Sequence, residues 1–273
     1  MKDLNEYLSK FAVANNCIGG DLAAIYQTSY EACEDKFNDN TMYIEYRYAP
    51  QLLLGGVLSS IEVVETIQKA FAQATIDLNR RRKNEESKKY LPEFRVKHIL
   101  CGIWNYPGGN TTGWLKENVE IAEQLDPNHE FIVGVDLAGG YTDDWKTSEE
   151  AKGYELAFKR AKDLGLGVTV HAGECEGADS VEWAIEKCSS DRVGHGYRLR
   201  EDKHLSAKYF PKSSVDTRHF EFCPRSSVLT NAQESFENHA LNALNPKTDN
   251  LSLSTDDPGV QQNQLLGVVK MKT

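Results

Sequence analysis

The sequence predicts an α/β chain with a parallel sheet, forming most of an eight-stranded (β/α)8 barrel. Three observations predict it. Seven short apolar, β-branched stretches alternate along the chain with longer segments of helical periodicity. Most of the short stretches are near-continuous in apolar residues rather than alternating, which suits strands covered on both faces. Four of the seven strands also end in ionisable residues, most of them beside glycines. Strand–helix units with right-handed crossovers admit an open doubly wound sheet or a barrel. In a barrel the carboxyl ends of all strands open on one face, where such residues can converge, so the barrel is the better reading.

In chain order, an opening helix carries Leu22, Ile25, Ser29, Ala32 and Phe37 on one face, and the strand 41–49 (TMYIEYRYA) follows. Ser59 and Glu62 make a capping-box pattern before Ile61, Val64, Ile67, Phe71 and Leu78 at helical spacing. The run 80–89 (RRRKNEESKK) reads as a solvated helix end and loop because its charges are mixed. Strands 94–103 and 131–137 come next. Thr147 and Glu150 repeat the capping pattern before Tyr154, Phe158, Ala161 and Leu164, with Gly165 at the C-terminal cap. Strand 167–172 precedes a helix that Asp179 or Ser180 would cap, and strands 192–197, 219–223 and 251–255 complete the set. No repeat or linker interrupts the pattern, so residues 1–273 read as a single, partial barrel domain.

The chain has 273 residues, 40% of them hydrophobic, and a formal net charge of −10. That is enough apolar material for a core, and the acidic balance argues against non-specific nucleic-acid binding. No apolar run approaches the roughly 20 residues that span a bilayer, and 1–11 (MKDLNEYLSKF) holds no signal-like core. The six cysteines are scattered with no C-x-x-C pair, which suits reduced thiols. A cytoplasmic enzyme without membrane or nucleic-acid partners is expected.

The strand ends carry the chemistry. One runs into Asp136–Leu137–Ala138–Gly139–Gly140, the next into His171–Ala172–Gly173–Glu174, another carries Gly194–His195–Gly196, and the last ends Thr255–Asp256–Asp257–Pro258. Taken singly, each has a structural reading: a hydrogen-bonded core histidine, a helix-capping aspartate, a glycine turn. Structure alone requires none of the four. His171 and Glu174 would face opposite ways on a straight strand, and a bend at Gly173 would bring both to one pocket. Two histidines and two carboxylates on one rim point to a divalent metal, zinc above all, with acid–base groups beside it. The phosphate-binding loop, the dinucleotide glycine loop, the G-x-S-x-G elbow, H-E-x-x-H and the zinc signature of cytidine-type deaminases are all absent.

With these residues in place the chain resembles the adenosine deaminases of the metal-dependent amidohydrolase group. The matching segments are EYRYAPQLL (45–53), GVDLAGG (134–140), TVHAGE (169–174), RVGHGY (192–197), FEFCPRSSVLT (220–230) and SLSTDDP (252–258). The resemblance implies one zinc ion with His171 and Asp256 among its ligands, and Glu174 as the proton donor. It implies that His195 orients the attacking water, and that Gly139 and Asp257 contact a purine nucleoside. The activity it implies is hydrolysis of adenosine or deoxyadenosine to inosine and ammonia in purine salvage. The family also carries an H-x-H pair on its first barrel strand, supplying two zinc ligands, and this sequence has no H-x-H. Its first 40 residues read as the helices that follow that strand, and only 16 residues follow Asp257. The expectation is a barrel without strand one and short in C-terminal helix, with two family zinc ligands missing. Residues 1–273 alone should then show low solubility and little or no activity. Two alternatives stand beside this: a deaminase of another aminopurine, and a relative that binds purines without turnover.

Overall fold

A computed structural model describes residues 4–86, 89–104, 106, 111–140, 145–209, 218–243 and 250–261. Seven strands form one sheet: β1 Tyr43–Tyr48, β2 Arg95–Ile103, β3 Ile132–Ala138, β4 Gly167–Ala172, β5 Arg192–His195, β6 His219–Phe222 and β7 Leu251–Leu253. The spatial order follows the chain order and every pairing is parallel. A doubly wound sheet would reverse direction at a switch point, so this winding is that of a barrel. Side chains show the curl. Arg47 of β1 bonds Glu221 of β6, and Arg192 of β5 meets Glu45 of β1 at 2.7 Å. Across a flat sheet β1 and β6 would stand about 24 Å apart, five strand spacings, beyond any side chain's reach. Among the described residues no strand pairs with the outer edge of β1 or of β7, and the barrel is incomplete.

Helices α1 Leu4–Ile18 and α2 Leu22–Asn38 open the chain, so its first 40 residues are helical as expected. Asp21 caps α2, accepting from the N–H groups of Ala23 and Ala24. The capping box of Ser59 and Glu62 starts α3, Ser60–Asn84. Further along lie α4 Thr112–Leu125, α5 Glu149–Asp163, α6 Ala178–Glu186, α7 Lys203–Tyr209, α8 Pro224–Leu229 and α9 Pro258–Gln261. An apolar layer between these helices and the sheet forms the main core, with Leu100, Trp104, Val135, Tyr154, Phe158, Val170 and Phe222 buried in it. A second cluster, including Ile25, Phe37, Val63, Phe71 and Phe94, lies under α2 and α3. No helix among the described residues is long and apolar enough to cross a membrane. Cys17, Cys33, Cys101, Cys188 and Cys223 carry free thiols.

Several local expectations shift. The cap of α5 is Ser148 rather than Thr147: its hydroxyl accepts from the Ala151 N–H at 3.1 Å, while Thr147 closes a 3-10 turn. Gly165 does end α5. With φ +85°, it lets its own N–H reach Lys162 and the Leu166 N–H reach Ala161, the paired bonds of a Schellman ending. The N-cap of helix α6 is Gly177, and neither Asp179 nor Ser180 caps it. The Ser180 hydroxyl instead donates to the Gly177 carbonyl and accepts from the Gly173 N–H. Nor is the basic run wholly solvated. Arg82 is buried on Phe37 and donates to the carbonyls of Pro92 and Thr41. Strands β5 and β7 stop two residues before the predicted ends, because backbone turns intervene there.

Candidate active site

Those turns build the site. Strand β4 ends at Ala172, and Gly173 takes φ +62°, which swings Glu174 back toward the strand. A Cβ at Gly173 would lie 2.6 Å from the Val181 side chain, so the bend excludes any larger residue. At the end of β5, His195 itself adopts φ +67° and Gly196 follows at +71°. Past β7, Asp256 adopts φ +60°. Left-handed backbone at a histidine and an aspartate is strained, and both strained residues face one point. His171, His195 and Asp256 each offer a ligand atom, and these atoms all lie within 4.8 Å of one another. The predicted bend is therefore real, and it gathers His171, Glu174, His195 and Asp256.

Hydrogen bonds fix how the two imidazoles present themselves. Asp136, at 0% exposure, accepts from His171 Nδ1 at 3.2 Å through Oδ1 and stands 3.0 Å away through Oδ2. The lone pair of neutral His171 is then on Nε2. Tyr197 donates its only hydroxyl proton to the Cys223 carbonyl and accepts from the Cys223 N–H. His195 Nδ1, 3.1 Å from that hydroxyl, must therefore be the donor, leaving the Nε2 lone pair 3.4 Å from Glu174 Oε2.

Burial sets the charges. Glu174 is 7% exposed and its carboxyl is pushed up, by desolvation first and then by Asp256, against the pull of His195 and His171. Asp257 is pushed up to about 8 by desolvation and by the neighbouring Asp256. Its Oδ2 accepts from the Tyr7 hydroxyl at 2.9 Å. For His171 desolvation lowers the pKa, but Asp136 outweighs it and the ring is raised to about 9. Asp136 is held down to about 2, because His171 and Arg47 overcome its own desolvation.

Below the rim the interior is charged rather than apolar. Arg47 bridges Asp136 at 3.7 Å and Glu221, and donates to Thr169 at 3.3 Å. Arg192 reaches Glu45 and, at 3.5 Å, Glu221. Gly139 lies on the same rim at the end of β3, with φ +104°, and a Cβ there would stand 3.1 Å from the Trp104 carbonyl. The structure places it on the strand beside β4, against Ile103 and Trp104 rather than within the cluster. Sequence reasoning assigned no role to Arg47, Asp136, Tyr197 or Tyr7. Glu45 and Arg47, two apart in a strand otherwise aromatic and apolar, were the readable signal of an inward polar face. Tyr7 gave none.

The family model of adenosine deaminases matches residues 1–273. The chain belongs to the adenosine deaminase family. It is 33% identical over 258 residues to an adenosine deaminase of Xenopus tropicalis, covering 93% of this chain and 67% of that protein. This chain thus spans about two thirds of the length of that deaminase relative. Among solved structures, an adenine deaminase from Arthrobacter aurescens superposes with a TM-score of 0.76 at 18% identity, covering 99% of this chain and 75% of that one. Arabidopsis ADAL complexed with IMP gives 0.77 at 21%, covering 99% and 72%. At these identities the likeness is one of fold, and it confirms the incomplete barrel. As a member of the family the chain is a deaminase-type hydrolase, with a candidate metal site of imidazole and carboxylate donors.

Proposed function

We propose that the complete protein deaminates adenosine and deoxyadenosine hydrolytically to inosine and ammonia, in purine salvage, with His171 and Asp256 among the ligands of one zinc ion. The observation that carries this reading is the convergence of His171, His195 and Asp256 within 4.8 Å, with Glu174 3.4 Å from His195. The donor set fits zinc in kind, since imidazole nitrogen and carboxylate oxygen are its usual ligands. When bound, zinc lowers the pKa of water enough to furnish hydroxide near neutral pH. His195, steadied by Tyr197, takes up the water's proton through Nε2 as oxygen adds to C6 of the purine. Glu174, whose carboxyl burial pushes up, gives a proton to N1 and neutralises the charge that builds as the ring loses aromaticity. His195 returns its proton to the exocyclic nitrogen, which leaves C6 as ammonia, and the proton of the new C6 hydroxyl goes back to Glu174 as the carbonyl of inosine forms. Asp257 and the Gly139 N–H hold the heterocycle.

A second reading, a deaminase of adenine or of an adenine nucleotide, draws support from the two fold neighbours above. Ammonia release from adenosine, adenine and adenosine monophosphate separates the two. Adenosine is expected to lead by at least about tenfold in kcat/KM, a difference of about 1.4 kcal/mol in transition-state binding. Adenine or the monophosphate in front would overturn the choice of substrate. Tight inosine binding with no ammonia from any of the three would make the chain a purine-binding relative instead.

A further inference from the structure

Helix α1 places one polar side chain where packing needs none. Tyr7 is 2% exposed, and its ring packs edge-on against Phe11 at 5.6 Å. An apolar ring would fill that space equally well. Instead, its hydroxyl lies 2.9 Å from Asp257 Oδ2 and receives the Gln261 amide, also at 2.9 Å. The amide nitrogen is a donor only, so the phenol accepts there and commits its single proton to the carboxyl group. The chain runs in one direction: Gln261 to Tyr7 to Asp257. It ties two residues of the last described turn to a helix some 250 positions earlier. Among the described residues no hydrogen bond reaches the other oxygen, Oδ1.

We propose that Tyr7 is a positioning residue for purine recognition: by occupying Oδ2 it fixes the rotation of Asp257 and turns Oδ1 to the heterocycle. This makes α1 part of the specificity wall of the site. It rests on the reading of Asp257 as a purine contact. A carboxyl group at the end of two rotatable bonds loses affinity if it must be ordered on binding, and a pre-formed bond removes that loss.

The test is a double-mutant cycle on the full chain, with inosine binding followed by calorimetry. Tyr7→Phe keeps the ring and removes the bond, and inosine is expected to bind about 5- to 10-fold more weakly. In the Asp257→Ala background the same change should alter binding less than about twofold, since the partner is gone. Gln261→Met, which leaves Tyr7 in place, should weaken inosine by about 2- to 4-fold and guards against a poorly folded Tyr7 variant. Wild-type affinity in Tyr7→Phe, or an equal loss in both backgrounds, would show a helix-packing role and overturn the proposal. Wild-type affinity in Asp257→Ala would overturn the purine-contact reading beneath it.

Discussion

At the residue scale, each acid–base assignment makes a separable prediction. Glu174→Gln keeps the shape of the side chain but cannot give up a proton. Deamination should fall by about 10²- to 10⁴-fold while inosine affinity changes little, as turnover and calorimetry would show. His171 is raised to about 9 by Asp136, so in the metal-free chain it holds a proton at neutral pH. Zinc must displace that proton, and its affinity should drop about tenfold per pH unit below pH 9. Asp136→Asn removes the anion that holds the proton. Zinc titrations at pH 7, 8 and 9 should then show a flatter slope, and affinity at pH 9 reduced by about 10- to 100-fold. A wild-type slope in the variant would contradict the pairing. His171, Glu174, His195, Asp256 and Asp257 were legible in the sequence because packed strand ends rarely carry ionisable groups between glycines. Arg47, Tyr197 and Tyr7 were not. Their partners lie on distant strands and helices, and no local pattern records which residue a barrel's closure brings opposite.

At the element scale, all seven strands were readable from apolar runs, because burial on both faces leaves few polar residues to blur them. Their ends were less so. Strand β5 stops at His195 and β7 at Leu253 because the backbone turns left-handed at or after those points, at a non-glycine residue in each case. Composition predicts such turns at glycine only. The helix caps differed for a similar reason: Ser148 and Thr147 are both competent caps, and the preceding 3-10 turn selects between them. Glycines at two helix or strand ends now make contrasting predictions. Gly165 and Gly196 both have positive φ, but a Cβ at Gly165 meets nothing within 4 Å, whereas one at Gly196 would lie 2.5 Å from the Phe220 ring. Gly165→Ala should cost about 1 kcal/mol of stability from backbone strain alone. Gly196→Ala should cost about 2–4 kcal/mol, adding the clash, and should disturb His195. Urea unfolding of the pair would check this, and equal losses would contradict it.

At the scale of the whole molecule, a charged interior replaces the apolar layers that usually fill such a barrel. Arg47 joins β1 to β3 and β6 from inside while the outer edges of β1 and β7 stay unpaired among the described residues. Arg47→Leu leaves Asp136 and Glu221 buried without that partner and should destabilise the fold by about 3 kcal/mol, visible as a lowered urea midpoint. Two buried histidines add a pH dependence. Desolvation lowers His98 and His239 to about 4 each, below the usual 6.5 of the unfolded chain. Below pH 6.5 the unfolded state therefore takes up protons that the folded state refuses. Stability should be full above pH 6.5 and decline progressively as pH falls toward 4, and His98→Gln should soften that decline. All of these features serve one claim, that the rim of a partial barrel assembles a zinc-dependent purine deaminase site. Its most direct test is single-turnover conversion of adenosine by excess zinc-loaded 1–273, followed by the change from adenosine to inosine absorbance. Slow, chelator-sensitive formation of inosine that disappears in Glu174→Gln is the predicted result. No inosine from a folded, zinc-loaded chain that binds inosine would contradict it.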